Sequence, residues 1–188
     1  MLRGLTLCVV LALSGGCATP RSSHVSQSAM RGAYIDASFA TRSGEWRFLF
    51  PANGDCAALI TPDSPVTYTP GGLWGRFHGP DGTECEPAGV GNLDRRRRSR
   101  RQGEVTPSSP ARWEVVHRDD EMFLLRGRFE LATRVGFAGT HDLVAMVAND
   151  DVCRPVAESG ASSLVYRPSG TRAFTLGRCP VLAFATPR

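Results

Sequence analysis

The stretch at residues 123–137, FLLRGRFELATRVGF, alternates between apolar and polar residues. Its odd-numbered positions include Phe123, Leu125, Gly127, Phe129, Leu131, Val135 and Phe137. Its even-numbered positions include the charged residues Arg126, Arg128, Glu130 and Arg134. A period of two is typical of a β-strand with one buried face, whereas a helix would place Glu130 beneath Phe123. We therefore predict one long strand here, with a bulge or bend at Gly127.

Shorter strand-like segments recur on both sides of this stretch, and turn residues separate them; most show a similar alternation, whereas 143–148 is apolar on both faces. They lie at residues 46–50, 66–69, 73–77, 112–118, 143–148, 164–166, 172–176 and 181–184. Asn53-Gly54 is typical of a two-residue hairpin turn, which predicts a further strand over Cys56–Ile60. No segment has the spacing of an amphipathic helix. The sequence thus predicts an all-β fold, an antiparallel meander of about 8–10 strands that forms a small barrel or a sandwich.

The first residues of the chain have the order of parts found in a secretory signal. Arg3 supplies a positive charge, Leu5–Leu13 form an apolar run, and the small residues Ser14-Gly15-Gly16 follow. The apolar run is far shorter than the roughly 20 residues that cross a bilayer as a helix. We predict that residues 1–16 are a signal peptide and that the protein is exported to the cell envelope.

The segment Leu13-Ser14-Gly15-Gly16-Cys17 resembles the lipobox of bacterial lipoproteins. The resemblance covers the signal region only, and Leu13 lies four residues before Cys17 where the family prefers three. It implies a lipid-modified Cys17 as the mature N-terminus. Because Ala18 rather than aspartate follows, it also implies an outer-membrane anchor that faces the periplasm. The alternative is cleavage after Ala18, which would release a soluble periplasmic or secreted protein.

The segment after the cysteine is polar and rich in serine up to Arg31. This composition predicts a flexible tether, so that residues 17–31 comprise the lipidated cysteine and its tether. The remaining residues, 32–188, are long enough for one domain with a substantial core. We predict a single β-domain over that range.

Six cysteines are present, but Cys8 is lost with the signal peptide and Cys17 is lipidated or removed. Four remain for the exported domain: Cys56, Cys85, Cys153 and Cys179. An even number in an oxidising compartment predicts disulfides, and four cysteines allow three pairings. We favour Cys56–Cys85 with Cys153–Cys179, which closes two short loops worth roughly 3–4 kcal/mol each. Because no C-x₂-C pair is present, neither a zinc site nor a redox-active thiol pair is predicted.

An arginine run stands out within a basic loop at about residues 89–110. It comprises Arg95, Arg96, Arg97, Arg98, Arg100 and Arg101. Blocks of like charge are usually solvated loops, which is one interpretation. The other is contact with an anionic lipid or lipopolysaccharide, since guanidinium groups suit bidentate phosphate contacts. Export to the envelope argues against a nucleic-acid partner.

The chain shows no sequence motif of an enzyme, and no cofactor or metal is predicted. His141-Asp142 is interpreted as a surface turn, and Ser159-Gly160-Ala161-Ser162 does not fit a nucleophile elbow. We therefore predict a non-catalytic, outer-membrane-anchored lipoprotein whose β-domain binds another envelope component. The alternatives are a β-barrel carrier of a small apolar ligand and an inhibitor of a cell-wall hydrolase.

Overall fold

The computed structural model describes residues 21–41, 44–71, 74–91, 109–131, 139–166 and 174–187. The signal segment, Cys17 and the arginine run at 95–101 lie outside these ranges, so their predictions remain predictions. Of the basic loop at 89–110, the ends belong to strands at Gly89–Gly91 and from Ser109 onward. Among the described residues, no helix has both the length and the apolar character needed to cross a membrane.

The described chain contains thirteen strands and two short helices. The strands are β1 (Arg21–Arg31), β2 (Tyr34–Thr41), β3 (Gly44–Pro51), β4 (Pro65–Thr69), β5 (Arg76–His78), β6 (Glu84–Cys85), β7 (Gly89–Gly91), β8 (Ser109–Arg118), β9 (Met122–Leu131), β10 (Gly139–Ala148), β11 (Ala161–Tyr166), β12 (Phe174–Leu176) and β13 (Cys179–Ala185). The helices are α1 (Gly54–Leu59) and α2 (Arg154–Ser159). The all-β prediction is confirmed. The strand number exceeds the prediction because β1 and β2 are not predicted as strands, and because β6 and β7, of two and three residues, are too short to show an alternation.

The second half of the chain closes into a six-stranded antiparallel barrel, which we call module 2 (residues 109–187). Its strands follow the order β8-β9-β10-β13-β12-β11, and β11 pairs with β8 to complete the ring. Large side chains fill its interior, among them Trp113, Phe123, Leu125, Phe129 and Leu176. The rings of Trp113 and Phe129 stack with centroids 6.2 Å apart.

The first half, module 1 (residues 21–91), has the same connectivity. β1 pairs with β2 and β4, just as β8 pairs with β9 and β11. β4 pairs with β5 and β5 with β6, as β11 pairs with β12 and β12 with β13. β3 pairs with β7 as β10 pairs with β13, so β6 and β7 together occupy the place of β13. The chain is therefore an internal repeat of one barrel-like unit.

The two short helices repeat in detail. The side chain of Asn53 accepts a hydrogen bond from the Cys56 N–H at 2.9 Å, and that of Asp150 accepts one from the Cys153 N–H at 2.7 Å. Each helix is then joined by a disulfide to a later strand, Cys56 to Cys85 and Cys153 to Cys179. The disulfide pairing that we favoured is confirmed. Two short sequence matches accompany the repeat: Ala-Thr-Arg at 40–42 and 132–134, and Tyr-x-Pro at 68–70 and 166–168.

The modules join into one continuous sheet through β7 and β13, which pair from Gly89↔Ala185 to Gly91↔Ala183. A third apolar cluster lies between them. There Tyr34 and Leu49 of module 1 pack with Leu124 and Met146 of module 2. The Tyr34 hydroxyl also donates to the Thr186 carbonyl at 2.7 Å. The modules therefore share a core, and closure of the sheet favours the barrel over the sandwich.

Two local predictions are wrong. The predicted tether is a strand from Arg21 onward, because Val25 is fully buried in the core of module 1 and β2 and β4 flank the segment. The predicted strand at Cys56–Ile60 belongs largely to α1, because Asn53 caps a helix instead of turning a hairpin.

Gly127 also has a different role from the one predicted. The bulge lies in the neighbouring strand β8, between Val115 and His117. A Cβ atom on Gly127 would lie 2.0 Å from the Arg112 carbonyl oxygen, so this glycine permits close approach of β8.

Candidate functional site

A cleft of about 790 Å³ lies where module 1 meets the turn between β8 and β9. Its wall is the outer face of β1, β2 and β3, and Glu121 and Met122 close one side. The lining is mainly polar and charged and includes Arg31, Asp36 and Arg47. Clefts at the junction of two structural units are common ligand sites. This cleft is the candidate functional site.

The strand alternation places the polar residues on this face. Ile35, Ala37 and Phe39 of β2 point into the module 1 core, so Asp36 and Ser38 point outward. In the adjacent strand β3, Arg47 lies directly opposite Ser38. Residues opposite one another in a sheet share a face, so the charged side chains of neighbouring strands meet.

Asp36 and Arg47 form a bidentate ion pair at the base of the cleft. The Arg47 Nε donates to Asp36 Oδ1 at 2.7 Å and its Nη2 donates to Oδ2 at 2.5 Å. The Asp36 side chain is only 6% exposed. Arg31 Nε lies 4.0 Å from the same carboxylate, so two arginines flank one buried aspartate. Bidentate pairs of this kind fix both partners in orientation.

Arg31 connects this pair to module 2. Its Nη1 donates to Asp119 Oδ2 at 2.9 Å and its Nη2 donates to Glu121. Its Nε is buried without a hydrogen-bond partner among the described residues. Burial lowers the pKa of Arg31, but the hydrogen bonds and charges of Glu121 and Asp119 outweigh burial and raise it. The guanidinium therefore stays charged at the mouth of the cleft.

Asp119 is held as a carboxylate by several donors. Burial raises its pKa, but hydrogen bonds from the backbone N–H groups of Glu121 and Met122 and from the side chains of Arg31 and His117 lower it to about 2. His117 Nε2 lies 3.2 Å from Asp119 Oδ2. The turn between β8 and β9 thus presents a fixed negative charge to Arg31.

The predicted site residues are distributed as follows. Cys56, Cys85, Cys153 and Cys179 form two buried disulfides, one in the core of each module. Cys17 and Arg95, Arg96, Arg97, Arg98, Arg100 and Arg101 lie outside the described residues. His141 lies in β10 with its Nε2 buried, so it is not in a surface turn. Within the described ranges, no group of His, Cys, Asp and Glu side chains is arranged to hold a metal ion.

The cleft itself is missed by the sequence prediction. One sequence signal points to the cleft: Asp36 is the one charged residue in the segment Tyr34–Thr41. In the structure its carboxylate is buried, and a buried carboxylate needs a partner. Comparisons with protein-family models, with curated proteins and with solved structures found no match.

Proposed function

We propose that this protein is a non-catalytic lipoprotein of the outer membrane whose β-domain binds another envelope component at the cleft. The observation that carries the proposal is the cleft of about 790 Å³ with its polar lining at the module junction. An inhibitor of a cell-wall hydrolase is one specific form that this function could take.

The chemistry of the cleft favours binding over catalysis. Asp36 is paired with Arg47, and Asp119 is held ionised by Arg31 and backbone donors. A general acid or base needs a pKa near the working pH, and the pKa of Asp119 is held well below it. Fixed charges and serine hydroxyls instead suit recognition of a polar partner.

The start of β1 at Arg21 bears on the anchor. If Cys17 carries the lipid, three residues separate it from β1, and the four peptide units from Cys17 to Arg21 span at most about 14 Å. A short connection holds module 1 and its cleft close to the membrane surface. The partner would then be a component at or near the inner face of the outer membrane.

The carrier alternative receives less support. A carrier needs a lumen, and the interior of the closed barrel is filled by side chains that are at most 8% exposed, such as Trp113, Phe129 and Leu176. A barrel of six strands is also narrower than the eight-stranded barrels that hold one small ligand.

Mass spectrometry of the mature N-terminus, combined with membrane fractionation, tests the anchor. We expect a lipid-modified Cys17 and recovery in the outer membrane, and we expect the Cys17→Ser variant to leave that fraction. An unmodified chain that begins at Thr19 and is free in the periplasm would overturn the lipoprotein assignment.

Site-specific photo-crosslinking in the native bacterium tests the binding site. A photoreactive residue at Glu45, which lines the cleft, should form an adduct with one partner. The same residue at Asp142 is the matched control, because its side chain is 69% exposed on β10 and does not line the cleft. Equal adducts from both positions, or none from Glu45, would contradict the proposed function.

A further inference from the structure

One edge of β1 is left open beside the cleft. On that side β4 pairs only with Arg21–His24. The backbone of Val25 is the last to be used, because its N–H donates to the Ser64 carbonyl at 3.2 Å and its carbonyl accepts from the Asp63 N–H at 2.9 Å. From Ser26 to Arg31, no strand of the described chain pairs with this side.

The register identifies the backbone groups that point outward. The Ala52 N–H donates to the Ala33 carbonyl at 2.9 Å, so Ala33 and Ala52 are a hydrogen-bonded pair. In an antiparallel ladder every second residue pair is hydrogen-bonded, and this pair therefore sets the alternation between β2 and β3. Along β2, odd-numbered residues therefore bond to β3 and even-numbered residues bond to β1. Ser28 and Met30 lie opposite Ala37 and Ile35, so their N–H and C=O groups point away from β2. The open edge thus offers two donors and two acceptors at alternate residues.

Exposed apolar side chains mark this edge and its counterpart in module 2. Met30 is 60% exposed on β1, and Val115 and Val116 are more than 40% exposed on β8. In β8 the Trp113 N–H donates to the Gly160 carbonyl at 2.9 Å, after which no described strand pairs on that side. Open edges with apolar residues are templates for an additional strand, and proteins normally protect them.

The cleft distinguishes the β1 edge from the β8 edge. Ser26, Gln27, Ser28 and Ala29 line the cleft along this edge. A strand added beside β1 would direct every second side chain to the outer face, alongside Gln27, Ala29 and Arg31. Because Ala29 is small, the cleft leaves room there for long side chains.

The charge around the cleft selects the partner. On the lining, the two arginines Arg31 and Arg47 face the three carboxylates of Asp36, Glu45 and Glu121, and Arg31 also bonds to Asp119 in the adjacent turn. Among the described residues, Glu45 has no ion-pair partner. The chain as a whole has a net charge of +4, so the cleft is an acidic site on a basic protein. Such a site favours cationic side chains.

We propose, building on the binding function proposed above, that β1 binds an extended basic peptide segment of another envelope protein. The segment adds as a strand to the edge from Ser26 to Arg31. Its backbone bonds to Ser28 and Met30, and its lysine or arginine side chains enter the cleft. Backbone hydrogen bonds hold the segment, and the carboxylates select its charge.

Labelled ten-residue peptides of alternating threonine and lysine test this proposal by fluorescence anisotropy with the purified mature protein. Two isomers carry N-methyl groups either on all threonines or on all lysines. An added strand uses only one of these sets for pairing, so one isomer should lose at least tenfold in affinity and the other should bind like the parent. A matched threonine–glutamate peptide should bind at least tenfold more weakly than the lysine peptide. Equal binding by the two isomers would rule out strand addition.

Variants of the protein test whether the peptide binds at the edge of β1 and in the cleft. Ser28→Pro removes an N–H that points away from β2, so it breaks no hydrogen bond to β2, and proline is tolerated at such positions of edge strands. This variant should lower the affinity for the lysine peptide at least tenfold. Glu45→Gln with Glu121→Gln should weaken binding of the lysine peptide without altering the backbone, which covers the case in which the proline variant fails to fold. Asp142→Asn, outside the cleft, is the control and should bind like wild type. Unchanged binding in the glutamine variant would overturn the proposed charge selection.

Two outcomes separate this proposal from the function on which it rests. If the Glu45 photoprobe captures a partner while no peptide binds, strand addition is wrong and the cleft still binds. If the wild type forms a dimer that the Ser28→Pro variant does not form, the occupant of the edge is a second copy of this chain, and the basic-peptide proposal is wrong.

Discussion

Arg31 in module 1 donates a hydrogen bond to Asp119 in module 2 at 2.9 Å, across 88 residues of sequence. The Arg31 side chain is 13% exposed and also contacts Glu121 and approaches Asp36. One guanidinium therefore links the base of the cleft to the turn that closes it. The junction between the modules is polar at this point and apolar beneath, where Tyr34 and Leu49 pack.

Replacing Arg31 with methionine should destabilise the protein by about 1–3 kcal/mol, because it leaves carboxylates without their buried cation. Unfolding in urea, followed by tryptophan fluorescence, measures the change. Arg128→Met is the matched control. Its side chain is 72% exposed and pairs with Asp142 at 3.3 Å, so its loss should cost less than about 0.5 kcal/mol. Equal effects of the two substitutions would show that the Arg31 network does not hold the junction.

The pKa of Asp119 predicts how the junction responds to acid. Its folded-state pKa of about 2 lies below the ordinary value of 3.8. A lowered pKa stabilises the fold above the ordinary value, and this contribution is lost as the pH falls from about 4 to about 2. Asp119→Asn should therefore reduce stability at pH 5 and flatten the loss between pH 4 and pH 2.

Unfolding free energies at pH 5, 4, 3 and 2 measure this effect. Other carboxylates titrate in the same window, so Asp142→Asn serves as the control for loss of an exposed aspartate. A pH profile of Asp119→Asn parallel to that of wild type would contradict the assigned role.

The sequence predicts the fold class well because the evidence is local. Alternation over residues 123–137 identifies β9, which the structure describes up to Leu131, and the even set Cys56, Cys85, Cys153 and Cys179 allows the correct pairing to be favoured. The repeat is missed because its sequence trace is only a few residues long. It becomes visible through hydrogen bonds, where the side chains of Asn53 and Asp150 each accept from the cysteine N–H three residues later, at Cys56 and Cys153.

The candidate site is missed for a physical reason. Arg31, Asp36 and Asp119 meet only after two modules pack, and no spacing in the chain encodes their contact. The polar composition of 18–31 also predicts a tether, although Val25 is fully buried and β2 and β4 pair with the segment. A strand with few apolar residues is recognised from its neighbours, which the sequence does not show.

The two disulfides should contribute similarly to stability because they hold equivalent helices. They close loops of 29 and 26 residues, each worth roughly 3–4 kcal/mol on the chain-entropy model. Cys56→Ser with Cys85→Ser, and separately Cys153→Ser with Cys179→Ser, should each lower the unfolding free energy by about that amount. Denaturant unfolding of both variants measures it. Unchanged stability in either double variant would show that the two disulfides are not equivalent.

Two glycines should tolerate no side chain, because strands approach them closely. A Cβ on Gly89 would lie 1.9 Å from the Phe184 carbonyl oxygen at the joint between β7 and β13, and one on Gly127 would lie 2.0 Å from that of Arg112. Backbone atoms cannot move aside as flexible side chains do. Substitution of either glycine by alanine should therefore cost about 1–3 kcal/mol.

Gly54→Ala is the matched control, since nothing lies within 4 Å of its added Cβ at the start of α1, and its stability should stay within about 0.5 kcal/mol of wild type. Hydrogen exchange adds a local test. Gly89→Ala should speed exchange in β13, which pairs with β7, while Gly127→Ala should speed it in β8 and β9. Identical exchange patterns in the two variants, or a loss of stability in Gly54→Ala as large as theirs, would contradict the close approach inferred at these positions.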